Sequence, residues 1–286
     1  MADLNHDPIS FTALKVLQQR ARHCTIPMCR EMAEAAGIPW KSSWPRRLAR
    51  NLIGGKSNSG LYLQLRFDAM SKALEDYPGC AVLELAAGLG TRGVLESPSR
   101  EAYIETDLES LLSVKQKVVD KLVGEGARAN HYFRPVNVTK VDDMNRIEKF
   151  LGELKLSRPI AIIHEGLLMY FNEQEQRTVR DSIARLIANH KPGGVWLTSD
   201  FSERDLDKTS LQKLMSTRLS NQVGRKLNYF ADNDSVVQFL SEGDLRCEWI
   251  PNNLPQLNAT ARAYAENFRI HRITVKAALD VGSGRP

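Results

Sequence analysis

From Gly79 onward, short apolar runs alternate with stretches that repeat at helical spacing, and nothing else in the chain restricts its fold as strongly. The runs Cys80–Leu85, Ala102–Ile104, Tyr132–Val136, Ile160–Ile163 and Val195–Thr198 read as strands. Between them, 109–122, 141–154 and 173–189 read as amphipathic helices. Alternation with short connections predicts a parallel sheet with helices on both faces, and right-handed crossovers make it doubly wound. The pattern then changes. Cys247–Ile250 and Ile270–Ala277 are β-like with no long helix between them, which predicts an antiparallel hairpin at the sheet edge. The expected fold is therefore α/β, with a mostly parallel seven-stranded sheet and an antiparallel edge.

Residues 1–78 carry helical patterns instead, over 9–22, 27–36 and 61–77, and are expected to form a helical N-terminal cap on a main domain spanning 79–286. Positions 202–222 read as a helical insertion after the fifth strand. The 286 residues suffice for one large α/β domain with a full core. Lys and Arg number 39 against 34 Asp and Glu, and the two signs are interspersed. The one basic cluster, 41–50 beside Trp40 and Trp44, reads as the wet side of an amphipathic helix, so no nucleic-acid partner is expected. No apolar run reaches the roughly 18–20 residues that span a bilayer. The first residues lack a secretory pattern, and Cys24, Cys29, Cys80 and Cys247 form neither a disulfide framework nor metal-ligand spacing. A cytoplasmic protein with reduced thiols, no metal and no membrane partner is expected.

The chemistry gathers at Val82-Leu-Glu-Leu-Ala-Ala-Gly-Leu-Gly-Thr-Arg-Gly93, where a strand turns into a helix. Gly88, Gly90 and Gly93 spell G-x-G-x-x-G, and Asp107 closes the next strand near the offset of a ribose-binding carboxylate. A nucleoside-bearing cofactor at the first crossover follows from this pairing. An NAD(P)-dependent oxidoreductase would fit the glycine turn, and a non-catalytic binding protein of the same fold is a third reading. However, Glu84 lies inside the strand, with Leu-Ala-Ala before Gly88, whereas a dinucleotide fold usually runs an uninterrupted apolar strand into its first glycine.

The pattern E-x-x-x-G-x-G resembles motif I of class I S-adenosylmethionine-dependent methyltransferases, whose fold is Rossmann-like. A second block, Ile160-Ala-Ile-Ile-His-Glu-Gly-Leu-Leu-Met-Tyr170, is followed by Lys191-Pro-Gly-Gly194 before the fifth strand. Its E-G-L-L-M-Y string resembles the leucine carboxyl methyltransferase family, which includes O-methyltransferases associated with polyketide biosynthesis. The resemblance covers roughly 61–200.

The resemblance implies S-adenosylmethionine as cofactor and transfer of its methyl group to a carboxylate or hydroxyl of a small acceptor. It implies that Arg66, in Leu-Arg-Phe-Asp, grips the cofactor's carboxylate, a task suited to a bidentate guanidinium. Glu84 would help order the loop at the methionine end. The family loop L-G-A-G-x-D-T-R reads here Leu85-Ala-Ala-Gly-Leu-Gly-Thr-Arg92, so Ala86 replaces its first glycine and Gly90 its aspartate. Ala86 can still present its backbone to the ligand, beside Gly88, if its φ is negative. Asp107 would take the ribose hydroxyls, Asn137 and Val138 would stand beside the adenine, and Glu165 would face the sulfonium region. Glu105 is expected to be a solvated or core-edge neighbour, and His164 a packed strand residue. No catalytic base is assigned.

Overall fold

The computed structural model describes residues 8–41, 59–124, 128–200, 224, 226–250 and 269–276. In chain order its helices are α1 (Pro8–His23), α2 (Cys29–Ala35), α3 (Ser59–Leu74), α4 (Arg92–Glu96), α5 (Glu109–Val123), α6 (Val141–Glu153), α7 (Glu173–Asn189) and α8 (Asn233–Leu240). The strands are β1 (Ala81–Glu84), β2 (Tyr103–Asp107), β3 (His131–Pro135), β4 (Ile160–Glu165), β5 (Gly194–Ser199), β6 (Leu245–Ile250) and β7 (Ile270–Val275). The expected insertion at 202–222 and the basic residues 42–50 lie outside the described residues.

The seven strands form one sheet in the order β3-β2-β1-β4-β5-β7-β6. The first five pair in parallel, and β7 runs antiparallel to both β5 and β6. This is the doubly wound sheet with an antiparallel edge that the alternation predicts. Every residue of β1 and β2 is buried, as befits central parallel strands covered on both faces. Because neighbours in a strand point to opposite faces, Leu83, Ile104, Ile162, Trp196 and Ile273 enter one core with side chains of α6, α7 and α8. Val82, Tyr103, Ala161, Ile163 and Leu197 enter the other, beneath Ala69, Met70, Ala73 and Leu74 of α3.

Helix ends follow local chemistry. Asn172 caps α7 in a reciprocal box with Glu175, satisfying the backbone N–H groups of both residues at the start of the helix. Asp232 accepts from the Ser235 N–H at the start of α8.

The N-terminal helices have no separate core. Leu17 and Ala21 of α1 and Cys29, Met32 and Ala33 of α2 share one cluster with Leu89, Val94, Leu111, Val118 and Val119. Thus α1 and α2 are fastened to the glycine turn and to α5. In an open sheet of this kind ligands bind beyond the carboxyl ends of the strands where the strand order reverses. Here that point is the end of β1, flanked by β2 and β4.

Candidate active site

Three segments meet at that reversal: the turn 85–90 after β1, Asp107 ending β2, and Glu165 ending β4. The turn is tight. Ala86 and Gly88 both have left-handed backbones, with φ of 51° and 52°. The Ala87 N–H donates to the Thr106 carbonyl at 2.9 Å, and Gly90 N–H returns to the Ala87 carbonyl at 3.1 Å. The condition of a negative φ at Ala86 is therefore not met. The turn holds this position left-handed although a methyl group is present, and such a conformation costs an L-residue about 1–2 kcal/mol. Ala86 is exposed at the crevice.

Asp107 is held as a two-sided acceptor. Its Oδ2 accepts from the Gly88 N–H and its Oδ1 from the Leu108 N–H, each at 2.8 Å. Two carboxylate oxygens held side by side are the pattern that vicinal hydroxyls need. Gly88 of the turn is thus tied directly to the acid that the sequence picks out nineteen residues later.

Glu165 is the centre of a cationic cluster. Arg92, at the start of α4, pairs with its Oε1, while Arg20 of α1 and Arg66 of α3 both reach its Oε2 at 3.0 Å. Burial alone would raise the Glu165 carboxyl, but Arg92, Arg66 and Arg20 overcome it and hold the group down to about 2. Arg92 is fully buried, stacked 4.2 Å from the Phe67 ring centroid and bonded to Ser71 Oγ and the Phe67 carbonyl. Arg20 and Arg66 share a single carboxylate oxygen, and the buried Arg20 Nε has no partner. This donor set suits a second carboxylate, such as the methionine end of S-adenosylmethionine, and Asp107 suits its ribose. On both counts the residues present fit that cofactor.

Other expected residues sit differently. Glu84 is buried and accepts from the Tyr103 hydroxyl at 2.7 Å, while its carbonyl accepts from Thr106 Oγ1. It therefore stiffens the strand floor beneath the turn. Asn137 turns its Oδ1 into its own loop, accepting from the Thr139 N–H and hydroxyl at 3.1 and 2.8 Å. The Val138 side chain is buried in the core under α6 and α7. The Asn137 backbone is engaged as well, its N–H donating to Asp143 Oδ2 at 2.8 Å and its carbonyl accepting from the Lys140 N–H at 2.9 Å, so the place after β3 is what brings this pair near the crevice. Glu105 is neither solvated nor at an edge. It is fully buried, paired with Lys115 of α5 and 2.7 Å from His131 Nε2. A carboxylate on a central strand needs such a partner, because burying it alone would be prohibitive.

His164 is fully buried, with its Nδ1 3.1 Å from Thr198 Oγ1 and 3.3 Å from Asp200 Oδ2. Tyr170 makes a side-chain hydrogen bond with Thr12 of α1, and burial pushes its hydroxyl up to about 12.

Helix α1 lies across the turn. A Cβ built on Gly88 would lie 3.6 Å from the Ala13 Cβ, and one on Gly90 would lie 3.6 Å from Arg20 Nη1. Arg20 and Lys115 are the residues that motif reading misses. Both carry a periodic signal. Arg20 stands three positions after Leu17 on the buried side of α1, and Lys115 interrupts the stripe Leu111, Leu112, Val118, Val119 on α5.

The sheet order, the turn and the carboxylate beyond it define a Rossmann-like class I methyltransferase that uses S-adenosylmethionine. Residues 16–226 match the family model described as leucine carboxyl methyltransferase, and the chain belongs to that family. Membership settles the choice between a methyl donor and a nicotinamide in favour of the former. Solved structures agree at the level of fold. A candidate methyltransferase from Thermobifida fusca YX superposes with a TM-score of 0.58 at 14% identity, covering 87% of this chain and 94% of that one. A DUF574 family protein from Streptomyces avermitilis MA-4680 gives 0.56 at 11% identity, covering 87% and 96%. No curated protein matches the sequence. Among the described residues no helix is long and apolar enough to cross a membrane, and no cluster of His, Cys, Asp or Glu could hold a metal ion.

Proposed function

We propose that the protein transfers the methyl group of S-adenosylmethionine to an oxygen of a small-molecule acceptor, a carboxylate or a hydroxyl, by in-line displacement. The cofactor supplies an activated leaving group, so an oxygen–methyl bond forms as the sulfur–methyl bond breaks and S-adenosylhomocysteine departs. The protein's task is then alignment and exclusion of water, and alignment can be worth as much as about 7–11 kcal/mol. Asp107 holds the ribose hydroxyls, and Gly88 fixes the direction of that carboxylate. Arg66, joined by Arg20, receives the carboxylate of the methionine moiety. Glu165 keeps these two cations converged, and its own charge lies toward the sulfonium region. Glu84 and Ala86 shape the turn, and the backbone of Asn137 and Val138 borders the adenine.

The single observation that carries this reading is the Asp107 carboxylate, oriented through both oxygens by backbone N–H groups of two different segments. A carboxylate acceptor requires no base. A hydroxyl acceptor would, and the Asp200–Thr198–His164 chain is the arrangement that could hold a proton there; its full burial favours the carboxylate. The N-terminal segment 1–78 serves as the cap, with α1 as its cover over the turn. The test is incubation of the purified protein with cell extract and isotopically labelled methyl donor, followed by mass spectrometry. An oxygen-linked label on a small acid or hydroxyl compound is expected. Label found only on nitrogen or carbon would overturn the proposal.

A further inference from the structure

Beneath the glycine turn lies a buried charged cluster that takes no part in the methyl-transfer scheme. Lys115 is fully buried on α5, and its Nζ pairs with Glu105 Oε2 while donating to the Ala87 carbonyl at 3.3 Å. The other Glu105 oxygen faces His131 Nε2 at 2.7 Å. Burial pushes His131 down to about 3, with Lys115 and Arg128 adding to the effect, so the ring is neutral and donates its Nε2–H. Lys115 is the cation paired directly with Glu105 in this cluster. There is no slack around it, since a Cβ at Gly93 would overlap Glu105 Oε1.

The Ala87 carbonyl is the point at which this cluster holds the turn. It sits between the two left-handed residues, Ala86 and Gly88, and the next N–H, from Gly88, is the one aimed at Asp107. Such a turn relaxes unless its surroundings fix it. We propose that Lys115, clamped by Glu105, which His131 holds at its other oxygen, is a positioning residue for cofactor binding: its ammonium pins the Ala87 carbonyl so that the Gly88 N–H orients Asp107 toward the ribose. The inference rests on the reading of this crevice as the cofactor site.

A buried ion pair can also be merely structural, and the two roles separate by experiment. Removing one partner strands a buried charge, whereas replacing both with apolar side chains of similar size often restores stability. The full chain is therefore compared as wild type, K115M, E105M/K115M and D107A, by thermal unfolding and by calorimetric titration with S-adenosylhomocysteine. K115M is expected to unfold at lower temperature and to bind more weakly by about tenfold or more, the scale of one charge-assisted hydrogen bond. The double variant is expected to regain thermal stability and still bind weakly. If it regains stability and binds like the wild type while D107A binds weakly, the positioning role is overturned and the cofactor site stands. If D107A also binds like the wild type, the site reading falls and the inference falls with it. Should the double variant not fold, E105Q/K115M carries the same test, because it removes the ammonium without stranding a buried charge. Weakened binding by a folded E105Q/K115M supports the role and unchanged binding overturns it.

Discussion

Replacing Glu165 with Gln removes the anion that holds Arg20, Arg66 and Arg92 together. The cluster holds its carboxyl down at about 2, well below the ordinary 4.5. At about 1.36 kcal/mol per unit this is about 3 kcal/mol of folding stability at neutral pH. The Glu165 side chain is only 11% exposed, so solvent screening takes little from that figure. The Gln amide would also turn an N–H₂ toward an arginine. E165Q is expected to lose about 3 kcal/mol, or about 6–12 °C in Tm for a chain of this size. The sign of the pH dependence follows from the direction of the shift. A carboxyl whose folded pKa is depressed contributes fully above its unfolded value and loses that contribution as pH falls through its folded one. The gap between wild type and E165Q should therefore be constant near neutrality and shrink as pH falls from about 4.5 toward 2. Urea unfolding followed by tryptophan fluorescence, at steps from pH 7.5 to 3, measures it. A gap below about 1 kcal/mol at pH 7.5, or one that does not narrow in acid, would refute the assignment of Glu165 as the charged hub.

Ala86→Gly removes a methyl group from a left-handed position, relieving about 1–2 kcal/mol. It returns about 0.4–1 kcal/mol through the freer unfolded chain, so a net gain of roughly 0.5–1 kcal/mol is expected in chemical denaturation, and a loss would contradict the backbone assignment. Gly93→Ala drives a Cβ into Glu105, and overpacking there should cost about 1–3 kcal/mol; an unchanged Tm would show that the buried cluster has room to yield. Deleting residues 1–50 removes α1 and Arg20 with it, and methylation of the acceptor should be abolished. Undiminished turnover by the truncated protein would rule out α1 as the cover of the site.

Much of this architecture is legible in the order of the residues. Strand–helix alternation is enough for the sheet and its antiparallel edge, because period and run length are local properties. Asp107 is legible for the same reason: a carboxylate at a strand end, at fixed distance from a glycine turn, is a linear signal. Contacts that close between distant segments are harder to see. Nothing adjacent to Arg20 announces that it will meet a glutamate 145 positions later, and only its place on the buried side of α1 marks it. Glu105 reads as a surface or edge residue because a charge on a strand is usually wet. The partner that keeps it dry, Lys115, lies one helix further along and is visible only as a break in an apolar stripe. The φ of Ala86 runs against its sequence reading because residue preference disfavours a left-handed alanine, while the hydrogen bonds on both sides of Ala87 impose it.

Asp107, at the end of β2, is the proposed partner of the sugar of S-adenosylmethionine. A crystal structure of the protein grown with S-adenosylhomocysteine decides whether it is. Both ribose hydroxyls within hydrogen-bonding distance of the Asp107 carboxylate, with the amino-acid end toward Arg66 and Arg20, is the predicted result. A nucleoside bound elsewhere, or a ribose turned away from Asp107, would contradict it.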